Sequence, residues 1–284
     1  MGVSRGASEA CWVRRWIEAG AFVGIWIAAG ELLNMSQNVY LLFGIPLTAA
    51  FQLLVRRKPI KDLWVLDGPE LSLRTVSLWL AIPLGIVPLY HLIASVIKGQ
   101  GADLILYAIA AIVGAGAAAY ALGQFRRQTW IYLGLCVATA SLIGILLTSA
   151  AAWHEASAIH PTGVHLRPNA LSGIDSLLLY IPALFMVEEV AFRGAIDSHV
   201  RHPGEDHGVS STIYGIVSAI FVSVLWGLWH HPILPSVTLF QLLFLQVLVG
   251  PFLSLFWRRS GNLMVPGSAH ALSDSVRNAL GLIP

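Results

Sequence analysis

The chain has 284 residues, of which 56% are hydrophobic and 11% charged, with a formal net charge of +2. An ordinary soluble domain carries about a quarter charged residues, so a water-facing surface is hard to build here, and a mean hydropathy of +0.72 points to lipid as the solvent. The small net charge, with no basic stripe interleaved by aromatics, excludes nucleic acid as a partner.

The chain begins MGVSRGASEACWVRRW. No small-residue cleavage site follows its first apolar stretch, which therefore reads as a retained anchor. Runs of about 20 apolar residues predict membrane helices near 17–33, 39–55, 76–97, 102–122, 130–152, 174–193, 213–230, 237–257 and 263–282. The second is short and the last is interrupted by polar residues, so the expected fold is all-α, a polytopic bundle of eight or nine membrane helices. The polar, aromatic stretch 58–74 is expected to lie along a membrane face. The longer loop 153–173 carries His154, His160 and His165 at a spacing that matches no common metal site. Cys136 lies inside an apolar run, far from Cys11, which argues against a disulfide framework.

Basic residues alternate. The N-terminus and the even-numbered loops hold Arg14, Arg15, Arg56, Arg57, Lys58, Lys61, Arg126, Arg127, Arg201, Arg258 and Arg259, among others. The odd-numbered loops hold only Lys98 and Arg167. By the positive-inside rule, the N-terminus is expected in the cytoplasm.

An ionisable group in a bilayer costs at least about 2.5–3.5 kcal/mol on insertion scales, so such residues usually have a role. They gather in the C-terminal third. In Glu188-Glu189-Val-Ala-Phe-Arg193, Glu189 and Arg193 share a helix face and can pair, which leaves Glu188 as a desolvated general base; a charged helix end at the interface would look the same. In Trp226-Gly-Leu-Trp229-His230-His231, the Trp226 indole can wall the His230 imidazole, while Trp229 and His231 fit an interfacial aromatic belt. In His270-Ala-Leu-Ser-Asp274, the carboxylate can orient the imidazole beside an oxyanion pocket, or Asp274 can simply pair with Arg277. Two histidines and a glutamate are also zinc ligands, but no HExxH is present, so direct and metal-assisted chemistry both stand on residue types alone.

The three motifs, in this order, resemble those of the CAAX prenyl endopeptidase and bacteriocin-processing (abortive-infection) family. EEVAFRG is similar to its EE-aliphatic-x-FRG, and RRSGNLMVPGSAHALSD to its basic-x-G, HALxN ending. The resemblance covers about 171–282, dividing the chain into N-terminal helices of unassigned role (1–170) and a protease-like core (171–284). It implies an intramembrane endopeptidase that needs no cofactor or metal and acts on a membrane-tethered peptide or protein. Glu188 and His230 would activate water, and His270 and Asp274 would form the oxyanion side. Glu189, Arg193 and Trp226 would support them. Trp226 stands where Phe is usual, changing the pocket's shape. Asp274 replaces the commoner Asn and cannot donate to an oxyanion when ionised. A non-catalytic scaffold or bacteriocin-immunity-type protein is the alternative; a transporter would want polar groups along a path, for which Glu31 and His91 are the N-terminal candidates. Counting about 1.5 Å per helical residue from the basic ends puts Glu188 roughly 20 Å deep and His270 about 16 Å.

Overall fold

The computed structural model describes residues 5–71, 78–157, 170–201, 209–234 and 237–279. His160, His165, Arg74 and Arg167 lie outside these residues, as do the side chains of His154, Cys11 and Arg277. Among the described residues the regular secondary structure is all helical, with one isolated antiparallel bridge between Val65 and Asn262.

The helices are α1 (Arg5–Leu32), α2 (Gln37–Ala50), α3 (Leu78–Ile97), α4 (Ala102–Gly123), α5 (Arg127–Ser157), α6 (Ala170–Met186), α7 (Ser198–Val200), α8 (Val209–His230), α9 (Leu239–Ser260) and α10 (Met264–Ala279). Each predicted membrane run overlaps one of them, the run 39–55 passing beyond α2 into a π-helix Phe51–Val55 and the run 174–193 passing beyond α6. Five stretches, Gln37–Val55, Trp79–Ile97, Ala102–Gly123, Ile213–His230 and Leu239–Ser260, are long and apolar enough to cross a bilayer by length and composition. Large side chains such as Leu32, Trp79, Ile97 and Phe240 stand more than three-quarters exposed, an apolar exterior suited to lipid rather than water.

Local chemistry sets the helix ends. Thr238 and Gln241 close a reciprocal capping box at the start of α9, and Gly261, at φ 62°, ends it by donating its N–H to the Trp257 carbonyl. Prolines inside α2, α3, α6 and α9 are of the kind membrane helices tolerate. The buried face of α4 is nearly all alanine and glycine, which lets backbones approach closely. A Cβ on Gly114 would overlap the Pro182 carbonyl oxygen of α6. Beyond α6 the chain winds as a π-helix over Val190–Asp197, every residue of it buried. There Gly194 sits against the Leu63 carbonyl of the single 3₁₀ turn Ile60–Leu63, with no room for a Cβ. These two contacts hold the glutamate-bearing segment along its length.

The N-terminal helices wrap the C-terminal ones. Trp26 of α1 packs edge-on to Trp229 and stacks on Phe192, and Tyr40 of α2 donates its hydroxyl to the Trp229 carbonyl. Trp229 is therefore fully buried, not part of an interfacial belt, because the rings of Trp26 from α1, Tyr40 from α2 and Phe192 cover it. Helix ends meet at a basic end of the bundle. Trp12 Nε1 donates to Val200 O, Arg56 Nη1 to Gly194 O, and Asn262 Nδ2 to Ala121 O. Arg258, a loop charge by the alternation argument, is instead 8% exposed. It clasps buried Asp197 through Nε (2.9 Å) and Nη2 (2.5 Å), and its Nη1 donates to Gly215 O and Ser218 Oγ.

Candidate active site

The π-helical segment and its preceding turn, the end of α8 and the middle of α10 bring all seven predicted residues together. π-turns are rare and recur at functional sites, because the wider turn re-aims side chains that an α-helix would stack. Just ahead of this one the adjacent glutamates face different partners.

Glu188 faces α8. Its Oε2 accepts from Trp226 Nε1 at 3.3 Å and lies 3.8 Å from His230 Nε2. His230 Nδ1 is 2.8 Å from the Trp226 carbonyl. A carbonyl can only accept, so Nδ1 carries a proton and Nε2 is the ring nitrogen turned toward Glu188.

Glu189 faces α10. Its Oε1 is 2.8 Å from His270 Nδ1, and the other ring nitrogen, Nε2, is 3.5 Å from Asp274 Oδ2. Arg193 Nε lies 3.8 Å from Glu189 Oε2, and both side chains are fully buried. The pairing inferred from their spacing is present, but the hydrogen bond of Glu189 goes to His270. Arg193 instead lays its guanidinium over the Trp226 ring, 4.1 Å from the centroid.

Trp226 is thus central. Its ring meets His230 and His270 edge-on at 5.3 and 5.0 Å while its N–H reaches Glu188 and its face carries Arg193. The Phe-to-Trp departure alters more than shape, since it adds a donor to the glutamate. Trp226→Phe is expected to keep the face for Arg193 and lose only that donor, a cost of about 1.5 kcal/mol, or roughly tenfold in rate. Trp226→Leu also strips the cation–π contact and should lower the melting temperature. Cleavage rates and thermal unfolding of the two variants separate these effects.

His230 Nε2 faces Glu188, and the two ring nitrogens of His270 face Glu189 and Asp274. Among the described residues no three of His, Cys, Asp and Glu are grouped to hold a metal ion. His91 lies apart, 3.3 Å from Asp175 across α3 and α6. Tyr107 of α4 was not foreseen. It is close enough to Glu188 and Asp274 for their charges to act on its hydroxyl, and a tyrosine in an alanine-rich helix carries no pattern that would reveal it.

Fold and site together define a polytopic helical membrane protein with a carboxylate–histidine cluster inside its C-terminal helices. Residues 172–276 match the family model described as Type II CAAX prenyl endopeptidase Rce1-like, so the family indicated by the three motifs is the one found. It is a family of endopeptidases, and the matched segment contains all seven residues singled out in the sequence. No match was found among curated proteins or among solved structures.

Proposed function

We propose that the protein is a multi-pass protein of the cell membrane, N-terminus cytoplasmic, that hydrolyses a peptide bond in a membrane-tethered substrate. The observation that carries this reading is His230 Nε2 held 3.8 Å from the Glu188 carboxylate. A water between them gives a proton to Glu188 as its oxygen attacks the scissile carbonyl, and Glu188 returns that proton to the leaving amine. His270, flanked by two carboxylates, holds positive charge beside the developing oxyanion, with Asp274 acting through it rather than as a donor. Glu189 and Arg193 set the position of His270 and Trp226. On this reading residues 171–284 carry the chemistry and the N-terminal helices wall it.

Partial exposure favours turnover over a packing network. Glu188 and His230 side chains are each 12% exposed and Asp274 21%, whereas Glu189 and Arg193 are closed. The substrate class is a CAAX-type prenylated C-terminus, a leader peptide or a C-terminal anchor signal. The test is cleavage of fluorogenic peptides, prenylated and plain, by purified protein in detergent. Cleavage indifferent to chelator and lost in His230→Ala is expected. Loss on chelation would require a metal at the site. If no peptide is cut and His230→Ala only lowers abundance, a scaffold role replaces the catalytic one.

A further inference from the structure

At the basic end of the bundle, between the start of α1, the end of the α2 segment and α7, lies a second cavity of about 290 Å³. Five basic side chains line it, Arg14, Arg15, Arg56, Lys58 and His199, against one acid, Glu18. Glu18 is already engaged on both oxygens, 2.7 Å from Arg14 Nε and 2.8 Å from His199 Nε2. Arg56 is fixed in place: its Nη1 donates to Gly194 O at 2.8 Å and to Gln52 Oε1 at 2.6 Å, and the rest of the guanidinium borders the cavity. Burial pulls Arg56 down to about 10, with Asp62 and Asp197 opposing and the like charge of Arg15 adding to the fall. It remains charged at neutral pH. Among the described residues, the side chains of Arg15 and Lys58 form no ion pair. The cavity therefore gathers positive charge that the protein leaves uncompensated.

An anion is what such a cavity lacks, and its surroundings indicate which kind. Val55 lines it and is 41% exposed, beside Leu54 at 73%. On α1, Val13 and Ile17 are 55% and 66% exposed on either side of Arg14 and Arg15. Cations beside outward apolar side chains at a helix end form the boundary where a phosphate headgroup meets its acyl chains. We propose that this cavity binds the phosphate group of an anionic phospholipid, with Arg15 and Lys58 as its direct contacts and Arg56 as the fixed cation behind them. The site is independent of the glutamate–histidine cluster and of any activity there.

The test is thermal unfolding of the full chain in neutral detergent, titrated with phosphatidylglycerol, phosphatidylcholine or inorganic phosphate. Wild type should be stabilised by phosphatidylglycerol and not by phosphatidylcholine. Arg15→Gln/Lys58→Gln should melt at the wild-type temperature without lipid, yet need roughly thirtyfold more phosphatidylglycerol for half the effect, each of the two cations near the surface being worth about 1 kcal/mol. Should the double variant prove unstable, Arg15→Lys/Lys58→Arg, which keeps both charges, should retain the wild-type response. Lys98→Gln, at the other end of the bundle, should also respond as wild type. Equal responses in wild type and the glutamine pair overturn the site, as does a loss in Lys98→Gln equal to theirs. Reproduction of the shift by inorganic phosphate at the same concentration overturns the lipid assignment in favour of a soluble anion.

Discussion

Glu188→Gln is expected to abolish peptide cleavage, by about a thousandfold, while the protein still inserts, accumulates and melts as wild type. The amide keeps the shape of the carboxyl and can still accept from Trp226 Nε1, 3.3 Å away, but it cannot take a proton from water, and a positioned base contributes roughly 10²–10⁴-fold. The measurement is single-turnover cleavage of whichever peptide the wild type cuts, with thermal unfolding alongside. Full activity in this variant would remove the glutamate mechanism. A lowered melting temperature with proportionate activity would make Glu188 a structural residue.

Asp197→Asn produces the opposite pattern. Asp197 lies nine residues further along the same buried segment and is itself 0% exposed, gripped by two guanidinium nitrogens of Arg258. Neutralising it leaves Arg258 buried without its counter-charge, which costs about 3–5 kcal/mol when one partner of such a pair is removed. Abundance in the membrane and the melting temperature should fall sharply, and the surviving folded fraction should cleave at near wild-type rate per molecule, because the helical rise puts this pair about 13 Å from Glu188. An unchanged melting temperature would show that Arg258 finds compensation in Gly215 O and Ser218 Oγ alone. Two acids on one element thus separate chemistry from architecture: one faces an imidazole nitrogen and partial solvent, the other a bidentate cation.

Much of this could be read along the chain. Membrane helices are legible because the bilayer demands about 20 apolar residues regardless of what packs beside them. The motif residues stand out for the same reason, since a charge inside such a run is costly. Glu189 with Arg193, Trp226 with His230 and His270 with Asp274 could be paired in advance because one helical turn separates them. Trp229 could not be placed. Its neighbours at the interface suggested a belt, and only the rings of Trp26 and Tyr40, some 190 residues away in sequence, bury it. Arg258 was equally opaque, since the charge rule counts where a residue falls between spans, not whether a carboxylate 61 positions away receives it.

The sequence by itself determined the solvent, the helical class and the candidate site residues, because each follows from local composition or from spacing within one turn. The tertiary structure decided which glutamate meets which histidine. Adjacent on one helical turn and about 100° apart, Glu188 meets α8 and Glu189 meets α10 just ahead of the π-helical segment, and the hydrogen bond from His230 Nδ1 to the Trp226 carbonyl sets which ring nitrogen faces Glu188. Those choices depend on how three helices distant in sequence cross, and no spacing within any one of them encodes that crossing.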